Sequence, residues 1–174
     1  MKKILIAVDI QNDFVTGALG SGRAVAAAEN AKTKIESYVK KGYTVIFTRD
    51  THADDYLDSS EGKLLPVKHC VTGTEGREIY GGLDKNVNNK IIVDKPNFGW
   101  RGWESTLNGL AEKDTELEII GLCTDVCVVS NALILKCLFP DNKITVDGSC
   151  CAGVTEAGHE AALLTMRMCQ INII

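Results

Sequence analysis

The sequence contains no run of lysine and arginine and no apolar stretch of about 18 residues, which argues against a nucleic-acid footprint and against a membrane-spanning helix. A net charge of −4 agrees with the first exclusion. Internal repeats, low-complexity tracts and linker-like segments are also missing, so one domain over residues 1–174 is expected. There is no Cys-x-x-Cys pair, and the seven cysteines are odd in number and irregular in spacing. That pattern does not suit a secreted disulfide framework, and a reducing cytoplasm is the expected setting. The opening Met1-Lys2-Lys3-Ile4-Leu5-Ile6-Ala7-Val8-Asp9 is basic and then apolar. Its apolar part is too short for a signal peptide and an acid ends it, so it reads as a first buried strand.

What is present is an alternation of two periodicities. Ile4–Val8, Thr44–Thr48, Ile91–Val93, Leu117–Gly121, Ile144–Val146 and Ile171–Ile174 are short, β-branched and continuously apolar. Such runs suit parallel strands covered on both faces. Between them, Ala24–Lys40 places Ala28, Ala31, Ile35, Tyr38 and Val39 on one helical stripe. Val126–Leu138 is apolar almost all round, which predicts deep burial. Thr155–Met168 begins at a suitable N-cap, and a weaker helix is expected over Trp103–Ala111. The pattern predicts a three-layer αβα sandwich with a mostly parallel six-stranded sheet, its ligands gathered at the carboxyl ends of the strands. Thr51–Asn89 is the exception: polar, rich in glycine and without a period, as functional loops often are.

Three polar groups fall at strand ends. Asp9 closes the first strand, Lys95 follows Ile91–Val93, and the block Gly121-Leu122-Cys123-Thr124-Asp125-Val126-Cys127-Val128 turns from a strand into a helix. A thiol in the first turn of a helix is expected to have a lowered pKa, because unpaired N–H groups favour its thiolate. This reasoning does not choose between Cys123 and Cys127. An acid, a lysine and a thiol that converge form a set for acyl transfer. Taken singly, each has an ordinary reading as an N-cap, a solvated lysine or a core cysteine; their shared placement favours the chemical one.

Asp50-Thr51-His52 follows the second strand, and His69 lies in the long loop. Asp-x-His with a distant histidine can form a three-ligand set for a borderline metal, leaving positions open for water or substrate. The chain has three histidines, and the third, His159, reads as structural.

These residues resemble the isochorismatase-like cysteine hydrolases, a family that includes nicotinamidases. Five blocks carry the resemblance in the family's order: Val8-Asp9-Ile10-Gln11-Asn12-Asp13-Phe14, Thr48-Arg49-Asp50-Thr51-His52, His69-Cys70-Val71-Thr72-Gly73-Thr74-Glu75-Gly76, Lys95, and Gly121–Val128. The resemblance implies a triad of Asp9, Lys95 and Cys127, with Cys127 as the nucleophile. It implies a non-proline cis peptide between Leu122 and Cys123, which would aim the Cys123 N–H, with that of Cys127, at an oxyanion. It further implies a divalent metal on Asp50, His52 and His69, zinc first with iron or manganese next, binding a pyridine nitrogen, and a homo-oligomer.

The expected activity is hydrolysis of a small amide through a thioester, with nicotinamide as the best single substrate. A ureido or carbamoyl amidohydrolase is the alternative, and a non-catalytic binding protein a more distant one. Two blocks depart from the nicotinamidase pattern. Where that branch has Trp-Pro-x-His-Cys, this chain has Pro66-Val67-Lys68-His69-Cys70. After the lysine it has Asn97-Phe98-Gly99-Trp100, so Phe14 and Trp100 are expected to sandwich a planar substrate.

Overall fold

The computed structural model describes residues 2–174. Six strands form one sheet in the order β3-β2-β1-β4-β5-β6, where β1 is Lys3–Val8, β2 Thr44–Asp50, β3 Lys90–Lys95, β4 Glu116–Leu122, β5 Ile144–Ala152 and β6 Asn172–Ile173. Every neighbouring pair is parallel. Each strand expected from the sequence is present. Ile4 to Val8 and Leu117 to Leu122 are buried throughout, which is why their runs show no alternation.

The chain builds outward from β1 to β2 and β3, then returns to place β4 on the other side of β1. A crevice therefore opens between β1 and β4 at the carboxyl edge. The short α1 (Asn12–Val15) and the long α2 (Gly22–Lys40) pack on one face. The Ser21 hydroxyl caps α2 by accepting from Ala24 N–H at 3.1 Å, and Ala28, Ala31, Ile35 and Tyr38 are buried as their spacing predicts. On the long connection lies α3 (Ser60–Leu64); α4 (Trp103–Thr106) is a single turn followed by irregular chain, shorter than the expected Trp103–Ala111.

The segment after β4 differs from expectation. It opens as one π-turn over Thr124–Val128, in which Val128 N–H reaches back to Cys123 C=O at 3.0 Å, and only then becomes α5 (Val129–Leu138). Nor is it buried all round: Asn131, Ala132 and Leu135 face the sheet, while Leu138 is exposed. A helix covering an outer face of a sheet has only one side to bury, whatever the polarity of the other. The last helix, α6 (Glu156–Met168), is capped by Thr155, whose hydroxyl accepts from Gly158 N–H at 3.0 Å. No helix among the described residues is long and apolar enough to cross a membrane.

At the opposite end of β4 from the crevice, Glu116 is buried. Burial favours its protonated form, but Lys3 at 2.8 Å, Lys143 at 2.9 Å and the Thr145 hydroxyl at 3.0 Å outweigh this. Its pKa is held at about 2, below the ordinary 4.5. A depressed carboxylate contributes stability that is present above its unfolded pKa and is lost as the pH falls through its folded one. Glu116→Gln is therefore expected to flatten the acid side of the stability profile between about pH 4.5 and 2. Urea denaturation across that range checks this, and a profile superimposable on the parent would contradict it.

Candidate active site

Four strand ends deliver the polar residues. Asp9 follows β1 with φ of 49°, Asp50 and Lys95 end β2 and β3 as register partners, and Cys127 sits in the π-turn after β4. The structure brings Asp9, Lys95 and Cys127 together. Lys95 Nζ lies 2.6 Å from Asp9 Oδ2 and 3.7 Å from Cys127 Sγ, and it donates to Asn97 C=O at 3.0 Å. Asp9 Oδ1 accepts from the Thr48 hydroxyl at 2.6 Å. Asp9 and Lys95 are fully buried and Cys127 is 4% exposed, so these charges act on one another with little screening by water.

Burial sets the protonation states. It raises the Asp9 carboxyl above the ordinary carboxylate value, an effect that Lys95 offsets only in part. Burial would lower Lys95, but Asp9, then Cys127 and Asp50, hold it charged well above its usual range. The Cys127 thiol is pushed far up, first by burial and then by the neighbouring Asp9, with Lys95 opposing. This differs from the expectation of a thiol pKa lowered by the helix terminus: loss of water around the sulfur raises it first, and the Asp9 charge next. The resting site therefore holds a protonated thiol beside the Asp9–Lys95 pair. Asp9 Oδ2 accepts no aligned hydrogen bond among the described residues.

The π-turn is clamped from several sides. The Asp125 carboxylate accepts from Val154 N–H at 3.0 and 3.2 Å, and the Thr124 hydroxyl meets His159 Nδ1 at 2.8 Å. His159 is thus structural, as expected, tying α6 to the turn. The Leu122–Cys123 peptide is cis, as the resemblance implied.

Asn131, one turn further on, was not legible as a site residue because a lone helical asparagine has no motif. It is fully buried. Its Oδ1 accepts from Trp100 N–H at 2.9 Å and Trp103 Nε1–H at 2.8 Å, while Nδ2 donates to Phe98 C=O at 3.0 Å and Cys127 C=O at 2.8 Å. Asn131→Ala leaves four groups without this partner, two of them buried, and is expected to cost about 3 kcal/mol of stability in urea titration. A loss below about 1 kcal/mol would show that the hub is dispensable.

A second cluster lies beside the first. One donor atom each from Asp50, His52, Glu61 and His69 falls within 4.8 Å of the others. His52 Nε2 is 2.9 Å and His69 Nε2 3.5 Å from Asp50 Oδ2, and both are 3.8 Å from Glu61 Oε1. His69 Nδ1 bonds Val67 C=O at 2.8 Å, which turns Nε2 inward. Gln11 holds the Asp50 backbone from both sides, accepting from its N–H at 2.8 Å and donating to its C=O at 2.9 Å. Burial would raise Asp50, but His52, His69 and Lys95 outweigh it and hold the carboxyl well below the usual range. Asp50 Oδ1 is buried without a hydrogen-bond partner. Two inward carboxylates and two imidazoles, one oxygen orphaned, fit a divalent cation. Glu61 was missed because it enters from α3, and no fixed spacing links it to the Asp-x-His motif.

A cavity of about 250 Å³ joins the two clusters. Phe14, Asp50, Glu61, His69, Cys123 and Cys127 line it, together with Leu19, Ala24, Leu65, Phe98, Val126, Ala152 and Val154. Trp100 is not among the lining residues. Its indole donates to the Thr106 hydroxyl at 3.0 Å, and its ring packs on the hydrophobic core. The aromatic from that loop is Phe98, because Asn131 anchors the backbone on both sides of Gly99 and leaves Phe98 at the cavity. Leu65 also lines the wall, next to Pro66, which stands where the nicotinamidase pattern has its aromatic.

Fold and site together define a cysteine hydrolase built on a doubly wound parallel sheet. The chain belongs to the isochorismatase family: the model of the isochorismatase domain matches residues 3–174. It is similar to the nicotinamidase/pyrazinamidase PncA of Bacillus subtilis, with 28% identity, 99% of each chain covered and a TM-score of 0.88. It is 27% identical to the nicotinamidase/pyrazinamidase of Mycobacterium tuberculosis over 190 residues, covering 99% of this chain and 98% of that one. The pyrazinamidase of Pyrococcus horikoshii, whose structure is of a complex with zinc, shares the fold at 24% identity, with a TM-score of 0.84 over 100% of this chain and 99% of that one.

Proposed function

We propose that this protein is a cysteine-dependent amidohydrolase of nicotinamidase type, converting nicotinamide to nicotinate and ammonia through a thioester on Cys127. The observation that carries the reading is the buried contact of Asp9 and Lys95 with Cys127, which lines a cavity together with the metal-donor residues Asp50, Glu61 and His69.

The residues divide the work as follows. As Sγ attacks the carbonyl carbon, Asp9 takes the thiol proton, a transfer helped by its raised pKa. Lys95 stays charged, holds Asp9 in place and stabilises the forming thiolate. The backbone N–H groups of Cys123 and Cys127 are assigned to the oxyanion. When the C–N bond breaks, Asp9 returns its proton to the leaving amine and ammonia departs. Water then attacks the thioester, Asp9 takes its proton, and the acid leaves as Cys127 regains its hydrogen. Phe14 and Phe98 supply the aromatic contacts for a planar acyl group.

Asp50, His52, Glu61 and His69 would hold a divalent metal, zinc first with iron or manganese next. Such an ion supplies a Lewis-acid contact for a substrate lone pair such as a ring nitrogen. The reading extends to a homo-oligomer in a reducing cytoplasm, the latter supported by seven cysteines that are all unpaired.

The test is ammonia release from nicotinamide, with nicotinate identified as the second product. Release of ammonia and carbon dioxide from a ureido compound, without nicotinamide turnover, would move the assignment to the carbamoyl branch. Metal analysis of protein purified without added ions is expected to find about one divalent ion per chain, lost in His52→Ala/His69→Ala.

A further inference from the structure

Tyr56 stands in the acid-rich stretch Asp54-Asp55-Tyr56-Leu57-Asp58-Ser59, where side chains ordinarily face water, yet it is only 2% exposed. It opens the short 3₁₀ turn Tyr56–Asp58, and its ring lies against both imidazoles of the metal-donor set. The ring centroid is 4.6 Å from that of His52, tilted by 53°, and 4.9 Å from that of His69, edge-on at 75°. The two imidazoles stand 4.9 Å apart at 76°. Three rings at these separations close a triangle, and turning either imidazole out of place brings it against the tyrosine.

The hydroxyl acts on the chain rather than on the rings. It donates to Leu65 C=O at 3.0 Å, at the start of the irregular stretch that leads to His69. Two residues on, Val67 C=O bonds His69 Nδ1 at 2.8 Å, so the tyrosine tethers the segment that orients this imidazole. Its own carbonyl leaves no room for a Cβ at Gly62, which seats the first turn of α3 and with it Glu61. Three of the four donors therefore rest on one residue. Ligating imidazoles are ordinarily oriented by a hydrogen bond at the ring nitrogen that faces away from the metal. His69 has such a bond, whereas His52 Nδ1 has no protein partner among the described residues, and contact with the Tyr56 ring takes its place. Tyr56 does not line the cavity, so it meets the donors and not a substrate.

We infer that Tyr56 is a positioning residue for the metal, holding His52 and His69 in the arrangement through which they share a divalent ion. The inference rests on the metal reading of this cluster and adds to it a residue that sets the affinity of the site.

The experiment measures zinc dissociation constants, by competition with a chromophoric chelator, for the parent, Tyr56→Phe and Tyr56→Met. Loss of a group that orients ligating histidines weakens metal binding by about 10–100-fold, and Tyr56→Met is expected to show that loss. Tyr56→Phe keeps the ring and gives up only the tether to Leu65, and is expected to weaken zinc by about two- to tenfold. A merely structural tyrosine would destabilise the metal-free and zinc-loaded forms alike in urea and leave the constant unmoved. A Tyr56→Met constant that falls short of the expected loss overturns the inference alone, as does a Tyr56→Phe constant as weak as that of Tyr56→Met. If Tyr56→Met does not fold, Tyr56→Phe decides, and a constant equal to the parent's overturns the inference. A parent that binds no zinc overturns the metal reading and the inference with it, while ammonia release from nicotinamide by the same protein tests the amidohydrolase reading separately.

Discussion

Cys127→Ala is expected to lower amide turnover by about 10⁴-fold or more while leaving the fold intact. No other group can take over the attack. Cys123 also lines the cavity, but it makes no contact with Lys95 or Asp9 of the kind Cys127 makes. The substitution deletes a single sulfur, and the Asp9–Lys95 pair keeps its 2.6 Å contact and its Thr48 hydrogen bond. The stability loss should therefore stay within about 1 kcal/mol, as for a small truncation in a core. Ammonia release and a thermal melt on the same preparation check both halves. Turnover within tenfold of the parent would remove Cys127 from the chemistry, and a collapsed melt would show that the loss is one of folding. Asp9→Asn should also silence the enzyme, but it is a poorer probe because it leaves the buried Lys95 ammonium without its partner.

Gly121→Ala is expected to prevent folding, or to cost about 4 kcal/mol or more. Gly121, the penultimate residue of β4, has φ of 129°, a conformation that side chains rarely adopt. A Cβ there would lie 2.0 Å from Val8 C=O and 2.7 Å from Val8 N. Val8 cannot retreat, because it is paired with Thr48 on one side and Gly121 on the other and leads directly into Asp9. Gly42→Ala is the control: its φ is also positive at 70°, but nothing lies within 4 Å of the added methyl. Strain alone should cost Gly42→Ala about 1–3 kcal/mol. Urea denaturation of the two variants separates conformational strain from steric exclusion. Equal losses would mean that the strands part more easily than their pairing suggests.

The Glu116 and Asn131 variants probe the two ends of the same sheet, and all four changes follow from how β4 is seated. Its amino end carries a carboxylate neutralised by Lys3 and Lys143, its penultimate position admits no side chain at Gly121, and its carboxyl end launches the nucleophile. The clamp around that turn, from Asp125, Thr124 and Asn131, keeps Sγ near Lys95 without a regular helix cap.

Strand identity was legible because burial on both faces leaves a local trace, a continuous β-branched run such as Ile4–Val8 or Leu117–Gly121. The acid, the lysine and the thiol were legible because a parallel sheet places all strand ends on one edge, so that position along the chain already implies proximity. By itself the sequence determined the sheet, the strand-end residues and the Asp-x-His donors. It did not determine Glu61, Asn131 or Gln11, whose partners are drawn from separate segments without a linking motif, so that only chain packing brings them into register. Nor did it determine which aromatic reaches the cavity, since Phe98 and Trp100 differ only in how Asn131 grips the backbone between them. The protonation of Cys127 belongs to the tertiary structure alone. A helix terminus is a local feature and lowers a thiol's pKa. Burial beside Asp9 is a property of the assembled fold, and here it pushes the thiol up.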